Sequence, residues 1–213
     1  MLRGKLMMKP LIGAALFAAA AGQAHAATFV FEAGNGAIFP SETIVAGFDD
    51  PADDAAITGS NFRFLTSTSA DGSLPAAGDG SRYLSVLAGG EASFDFAQPV
   101  RGFSVDLGSL DSYNKLSVRF VGGDTQSFTG DDIVVNANGD QAADRTNGRF
   151  RLAGDAGQLI AGVTFSSGGN SFEADRIAVT AVPEPAMWAM MISGFGLIGY
   201  ASRRSRTPRT TLA

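Results

Sequence analysis

Short runs in which apolar and polar residues alternate are the feature that most constrains how this chain can fold. Such runs occur at residues 28–32, 92–96, 103–107, 116–120 and 149–152. Alternation with a period of two and one polar face indicates antiparallel strands. Clusters of Gly, Pro and Asn separate the runs, and no stretch within residues 27–182 keeps a 3.6-residue period for three turns. The sequence therefore predicts an all-β domain, an antiparallel β-sandwich or jelly roll.

Two of these strands should turn polar side chains to solvent. Ser104 and Asp106 alternate with apolar residues in one run, and Arg149 and Arg151 do so in another. Because alternating positions lie on opposite faces of a sheet, we expect these four side chains on the wet face.

The last strand predicts an irregularity. Phe172 and Ala174 share one parity, whereas Ile177 and Val179 share the other. The change falls at residues 175–176, and a single extra residue in a strand produces this shift. We therefore expect a β-bulge there.

The N-terminus has the three parts of a secretory signal peptide. A basic first segment, residues 1–10, precedes an uncharged run at 11–21 and the small-residue site Ala24-x-Ala26. The apolar run is shorter than the ~20 residues that a transmembrane helix needs. We predict a signal peptide over residues 1–26, cleavage after Ala26 and export by the Sec machinery.

The remaining composition excludes several kinds of chemistry. The chain has no Cys, and its one histidine, His25, lies in the cleavage site. A mature domain without His or Cys excludes Ser-His-Asp and Cys-His catalysis and imidazole- or thiolate-bound metals. Residues 27–182 contain 20 acidic and 9 basic residues, a formal charge of −11. Such a charge repels nucleic acid, so we expect no nucleic-acid partner.

The C-terminal tail differs abruptly from the β domain, which we place at residues 27–181. A Pro-Glu-Pro tripeptide is followed by 16 uncharged residues and by Arg203, Arg204 and Arg206. As a helix the uncharged stretch would be about 24 Å long, and snorkelling arginines would extend its reach toward the ~30 Å bilayer core. Basic residues stay on the cytoplasmic side. We predict a transmembrane helix, with the precursor in the inner membrane and the β domain outside.

This tail resembles a known sorting signal. Pro183, Glu184 and Pro185, followed by Trp188 and Ala189, an apolar segment and an arginine cluster, are similar to the PEP-type (PEPxxWA) signal of exosortase substrates. The resemblance implies a signal over residues 182–206, with residues 207–213 as a tail beyond it. It also implies an exosortase of an exopolysaccharide-producing Gram-negative bacterium as partner, removal of the helix, and a secreted or cell-surface product.

The resemblance extends into the domain. Residues 108–114 (GSLDSYN), 128–130 (FTG) and 171–178 (SFEADRIA) are similar to a family of exosortase-dependent surface proteins. That family typically has G-S-x-D-x-Y-N and S-F-E-x-D-N-I-A, and Arg176 stands where it usually has Asn. The resemblance implies a destination and leaves the chemistry open.

Three residues of these motifs form a candidate polar ligand or cation site. Asp111 and Asn114 flank a turn between two strands, and Asp175 lies at the predicted bulge. The alternative is structural, since Asp and Asn side chains commonly hydrogen-bond their own backbone in turns.

Two other clusters are rich in side-chain oxygen. The acidic residues within 49–54 lie in a long connection, and we expect a solvated loop there; a second long connection covers residues 70–80. A cluster near residue 135 is a candidate for structural Ca²⁺, although its spacing fails the EF-hand pattern. Its members are Asp131, Asp132, Asn136, Asn138 and Asp140.

Three functions remain open. The first is a structural or adhesive component of the surface or biofilm matrix that associates with exopolysaccharide and is not an enzyme. The second is a secreted carbohydrate-binding module, disfavoured because Tyr83 and Tyr113 are the only Tyr or Trp residues of the mature domain. The third is a glycoside hydrolase with two carboxylates, which 20 acidic residues would permit by chance. We expect no catalytic residue and no cofactor apart from the calcium candidate.

Overall fold

The computed structural model describes residues 27–34, 36–155, 157–182 and 185–204, so the predicted signal peptide lies outside it. Within these ranges the helices are α1 (Pro51–Asp54), α2 (Gly130–Ile133) and α3 (Pro185–Arg204), and a 3-10 turn covers Asp144–Thr146. The strands in the same ranges are β1 (Thr28–Ala33), β2 (Thr43–Ala46), β3 (Ile57–Leu65), β4 (Tyr83–Val100), β5 (Gly102–Gly108), β6 (Asn114–Phe120), β7 (Thr125–Thr129), β8 (Gly148–Ala153), β9 (Ile160–Ser167) and β10 (Phe172–Thr180).

All strand pairs are antiparallel and follow one path, β1-β8-β5-β10-β4-β9-β6-β7, with β2 on β10 and β3 on β4. The long strand β4 joins the two halves of this path. Its residues 84–86 pair with β10, and from Gly90 onward it pairs with β9. Gly89, with φ +72°, lies between these two pairings. The predicted all-β antiparallel fold with one C-terminal helix is confirmed.

Phenylalanine side chains from the two halves of the path meet in the core. The Phe150 ring of β8 lies 5.3 Å from Phe29 of β1, 5.9 Å from Phe103 of β5 and 5.5 Å from Phe128 of β7, measured between ring centroids. Aromatic pairs at these distances contribute about 0.5–1.5 kcal/mol each beyond the area that they bury. Because β7 ends the path opposite β1, these contacts show that the sheet curls back on itself.

The prediction of a wet face on β5 and β8 is wrong. Ser104, Asp106 and Arg149 are all fully buried. The segment between β1 and β3 covers them: a side chain at Gly36 would collide with Arg149, and Glu42 accepts a hydrogen bond of 2.6 Å from the Ser104 hydroxyl. The alternation is present, but its polar face contacts protein rather than water.

The buried charges on this face are paired through one shared carboxylate. The Asp106 carboxylate receives Arg149 Nη1 at 2.7 Å and Arg176 Nε at 2.6 Å. Arg149 also donates to the Ser104 hydroxyl and to the backbone carbonyl of Arg176. Buried charges are tolerated when they are paired and hydrogen-bonded in this way.

The bulge predicted in β10 is confirmed. The register with β5 shifts between Asp175 and Ala178, and Arg176 has φ 44°. Among residues other than glycine, Asn enters this left-handed region more readily than Arg does. The Asn that the similar family has at this position therefore suits the backbone conformation found here.

Candidate functional site

A polar pocket of about 250 Å³, called here the Tyr113 pocket, opens at the end of the domain where β10 begins. Polar atoms form almost its entire wall. Four chain segments contribute to it, within residues 69–73, 109–113, 138–141 and 170–173. The second and fourth segments carry the two longer motifs of the sequence, so folding brings these motifs together.

One side of the pocket is built around Asp111. Its Oδ2 atom accepts a hydrogen bond of 2.7 Å from the Tyr113 hydroxyl, which also lies 3.2 Å from the Asn170 carbonyl oxygen. Burial and the neighbouring Asp111 raise the pKa of Tyr113 above its ordinary value. Gly139, at φ +66°, brings its backbone so close to the carboxylate that any side chain there would collide with it. The glycine therefore allows the 138–139 turn to close over Asp111.

The Glu173 side chain forms the floor of the pocket and is only 1% exposed. It accepts hydrogen bonds from the Ser73 backbone N–H at 3.1 Å, from the Ser109 hydroxyl at 2.8 Å and from the Ser171 hydroxyl. Burial raises the pKa of Glu173, whereas these hydrogen bonds oppose the shift. Because the three donors come from three different segments, Glu173 ties the walls together.

The predicted site residue Asn114 lies behind Asp111 and does not line the Tyr113 pocket. Its Oδ1 atom accepts the Asp111 backbone N–H at 2.7 Å, and its Nδ2 atom donates to the Ser171 carbonyl and the Ser167 hydroxyl at 3.1 Å each. Asn114 therefore holds the two motifs in register, and its contact with Asp111 is through the backbone.

The third predicted residue, Asp175, is not brought to this pocket. It lies against Gly78 and accepts the Arg176 backbone N–H at 2.7 Å. Burial raises its pKa to about 7, and the carboxylates of Asp79 and Asp106 add to this shift. Glu173, two residues earlier on the same side of β10, provides the pocket carboxylate instead.

A second cavity of about 500 Å³, called here the glycine groove, adjoins the Tyr113 pocket. Tyr113 lines both cavities, and its ring packs against Gly169, where a Cβ atom would lie 2.7–2.9 Å from ring carbons. Among the described residues Tyr113 is the only aromatic side chain that lines either cavity. The groove is lined by Ser60, Gly89, Gly90, Glu91, Ser112, Tyr113, Asn114, Lys115, Thr129, Ser166, Ser167 and Gly168.

Local backbone bonds occupy much of the oxygen-rich cluster proposed for Ca²⁺. Asp131 and Asp140 accept backbone N–H groups six and two residues further along the chain, and Asp132 forms a capping box at the start of α2. Asn138 Oδ1 accepts a hydrogen bond of 2.7 Å from Arg145. Across the part of the chain that the structure describes, no group of three or more acidic or histidine side chains is arranged to hold a metal ion.

The acidic loop at residues 49–54 is partly solvated, with Asp49 and Asp50 exposed, and its side chains also make local contacts. Asp50 caps α1 through the Ala52 backbone N–H, and Asp54 pairs with Arg82 at 2.7 Å. Hydrogen bonds from Gly47 and Phe48 to the Asp53 carboxylate add to these contacts and fix the turn. These acids stabilise their own connection.

The predicted sorting tail continues as α3, which begins at Pro185, while Pro183, Glu184 and Arg206 lie outside the described residues. No helix in the described ranges is both long and apolar enough to cross a membrane. The predicted transmembrane helix is thus not supported: only 16 residues separate Pro185 from the polar end, and three of them are glycine. Several large apolar side chains of α3 are exposed: Met190, Ile192, Phe195, Leu197, Ile198 and Tyr200.

Sequence reasoning missed several side chains of the pocket, three of which lie in the two longer motifs. Ser109, Tyr113 and Glu173 belong to the two motifs. Turn chemistry, however, indicates only the Asp and Asn of the first motif, and the change of parity indicates only the acid at the bulge. A usable signal was present, since Glu173 is an acid between Phe172 and Ala174 in an otherwise apolar part of the strand. An acid at such a position needs hydrogen-bond partners when the strand is buried.

Residues 181–206 match the family described as the PEP-CTERM protein-sorting motif. This match confirms the resemblance of the tail to an exosortase-dependent sorting signal. The chain is therefore an exported protein that is sorted to the bacterial surface. None of the proteins with curated annotation matches it.

Three solved structures resemble this chain at low identity and low TM-score. The catalytic domain of a GH87 alpha-1,3-glucanase is 16% identical, with a TM-score of 0.41 over 71% of this chain and 30% of the glucanase chain. A beta-1,3-glucan binding CBM6 from Bacillus halodurans is 13% identical, with a TM-score of 0.34 over 59% of this chain and 89% of that chain. The module CBM6cm-2 of Cellvibrio mixtus lichenase 5A is 13% identical, with a TM-score of 0.34 over 66% of this chain and 100% of that chain. The chain thus spans about a third of the glucanase structure, and these similarities are too low to carry a function across.

Proposed function

We propose that the protein is a component of the bacterial surface or extracellular matrix that an exosortase releases from its C-terminal tail. The observation that carries this proposal is the sorting motif at residues 181–206. Its position suits removal, because β10 ends at Thr180 and the motif follows directly. The large apolar side chains of α3 named above are exposed, and none of them belongs to the core cluster of the β domain, so losing them would not open that core.

The β domain would act in this matrix as a structural or adhesive component rather than as an enzyme. Without Cys it has no thiol nucleophile, and without His it lacks the usual base for activating a serine. Its buried polar side chains mainly hold segments together, as Glu173 and Asp106 do. Association with the exopolysaccharide would keep the released domain near the cell.

The test is the fate of the tail in the producing cell. Changing Pro183, Glu184 and Pro185 to Ala should leave export intact and stop processing, because the signal peptide is unchanged while the recognition element is lost. The precursor should then stay with the inner membrane, whereas wild-type protein appears outside without its tail. Changing Thr210 and Thr211 to Ala is the matched control, since it alters the same tail beyond the motif.

Mass spectrometry of the extracellular product decides the outcome. Wild-type protein should yield peptides of the β domain and none covering residues 187–203. Recovery of those peptides from the extracellular protein would contradict processing. Normal release of the Pro-Glu-Pro variant would contradict recognition of this tripeptide.

One observation favours a second candidate, a glycoside hydrolase: Asp111 and Glu173 line the same pocket. Glycosidases use two carboxyl groups, often with pKa values that their surroundings push apart. Three hydrogen bonds already engage Glu173, which is almost fully buried. This arrangement suits a structural acid better than a proton donor to substrate, so we rank hydrolysis below binding.

A further inference from the structure

We propose that the Tyr113 pocket and the glycine groove form one binding site for a neutral oligosaccharide, with the Tyr113 ring between two subsites. This inference rests on the proposed matrix function and names the partner class of the β domain. One sugar residue would occupy the Tyr113 pocket, and the following residues would lie along the groove.

The hydrogen-bonding groups of the pocket wall carry the argument. Within the described structure, Asn138 Nδ2, Asn170 Oδ1 and Asp111 Oδ1 have no protein partner, although the other polar atom of each side chain does. The Gln141 side chain, which also lines the pocket, makes no hydrogen bond to the described residues. The wall therefore offers donors and acceptors from three segments. Sugar hydroxyl groups both donate and accept, so they match such a mixed set.

Charge disfavours anionic ligands in the Tyr113 pocket. The residues lining the Tyr113 pocket include two carboxylates, Asp111 and Glu173, and no Lys or Arg. Phosphate, sulfate or uronate groups would be repelled there, because nothing in the wall neutralises them. An apolar ligand would leave the unpaired polar groups desolvated, which costs about 1–3 kcal/mol for each group. A neutral ligand rich in hydroxyl groups avoids both costs.

Size and continuity extend the site beyond one sugar. The pocket volume of about 250 Å³ is below the roughly 300–1,000 Å³ of sites for drug-sized molecules and suits one sugar ring. The glycine groove adds about 500 Å³ directly beside it. Glycines at 89, 90 and 168 keep the groove free of side chains at these positions. A chain of sugars would thus run from the pocket into the groove past Tyr113.

Tyr113 is held ready for this role. Tyr113 is 38% exposed, and its ring rests on the backbone of Gly169 and is anchored at its hydroxyl by Asp111. An aromatic ring with one polar end can pack against the C–H face of a sugar while its hydroxyl stays hydrogen-bonded. Because the protein already fixes the ring, binding would lose little side-chain entropy.

The experiment measures binding to the full chain, purified in mild detergent so that the result does not depend on sorting. The probes are short neutral oligosaccharides obtained by partial hydrolysis of the exopolysaccharide of the producing strain, and cellotriose is the reference sugar. Isothermal titration calorimetry measures the affinity for each probe. Tyr113→Ala should weaken binding by about tenfold, the effect expected from losing one aromatic contact and its fixed hydroxyl. Gln141→Ala should weaken it by about threefold without affecting folding, since Gln141 has no structural partner.

Phe39→Ala is the matched control, because Phe39 is an exposed aromatic residue that lines neither cavity. It should leave the affinity unchanged. Binding that survives both Tyr113→Ala and Gln141→Ala in folded protein would overturn the site. Absence of binding to every neutral probe would overturn the inference, while release of the tail, measured separately, would still stand or fall by itself. Shortened products after incubation would also overturn it, in favour of hydrolysis.

Discussion

Replacing Asp106 with Leu should destabilise the domain strongly, because two cations depend on this carboxylate. The Asp106 and Arg149 side chains are 0% exposed, and the Arg176 side chain is 16% exposed. In Asp106→Leu, the Arg149 guanidinium would keep only the Ser104 hydroxyl and the Arg176 carbonyl as partners. A charge without a counter-ion would then remain in the interior.

The magnitude follows from that unpaired charge. Removing one partner of a buried ion pair typically costs 3–5 kcal/mol, and we expect about 4–5 kcal/mol for Asp106→Leu because Arg149 has no route to water. Arg149→Leu should cost less, about 3 kcal/mol, since Asp106 keeps Arg176 at 2.6 Å. The double variant Asp106→Leu/Arg149→Leu removes the stranded charge. It should therefore be about 2 kcal/mol more stable than Asp106→Leu alone.

Urea unfolding followed by far-ultraviolet circular dichroism measures these free energies, since Trp188 reports on the tail rather than on the domain. Arg119→Leu is the control: its partner Asp95 is 77% exposed, and a surface pair contributes less than about 1 kcal/mol. The reasoning fails if Asp106→Leu loses no more stability than Arg119→Leu. It also fails if the double variant loses the sum of the two single losses.

Two further predictions concern protons and metal. Burial raises the pKa of folded Asp175 to about 7, whereas the unfolded chain has the ordinary value of 3.8. Between about pH 4 and pH 7 the folded protein therefore keeps a proton that the unfolded chain has released. The contribution of Asp175 to the wild-type free energy of unfolding should accordingly fall as pH rises through this range. Asp175→Asn should remove this contribution, which is at most about 4 kcal/mol. Urea unfolding at pH 5 and pH 8 measures it. An equal change in the free energy of unfolding between the two pH values for wild type and Asp175→Asn would disprove the role of Asp175. Addition of Ca²⁺ or of a chelator should shift the melting temperature by less than about 8 °C, because backbone N–H groups already engage Asp131 and Asp140. A larger fall of the melting temperature with chelator in a thermal scan would show a bound structural ion.

Alternation alone could predict the strands and their inner face, but not what covers the outer face. Phe103 and Val105 point into the core as the pattern requires. The same pattern predicted that Asp106 is exposed to solvent, yet the connection that carries Gly36 and Glu42 covers this face of β5 and β8. The alternating pattern is the same whether a polar side chain contacts solvent or an oppositely charged side chain. The distinction depends on a contact between distant parts of the chain, which periodicity does not contain.

The sequence could not determine the composition of the candidate site for a similar reason. Turn chemistry singled out Asp111, which lines the Tyr113 pocket. It could not decide between Glu173 and Asp175, which lie on the same side of β10. The register with β5 decides: Glu173 pairs with Gly108, next to the turn that carries Asp111, whereas Asp175 pairs with Asp106. Two positions along β10 thus separate Glu173, which lines the pocket, from Asp175, which lies beside the buried ion pairs of Asp106.

The two proposals are compatible in space because they use opposite ends of one strand. The Tyr113 pocket lies where β10 begins at Phe172, and the sorting tail leaves where β10 ends at Thr180. The eight steps from Phe172 to Thr180, at about 3.3 Å each, place these ends roughly 26 Å apart. If a membrane holds the tail during the proposed processing, the pocket would lie at the other end of β10 from the tail. Oligosaccharide binding would therefore require no prior cleavage, and cleavage would leave every residue of the pocket in place.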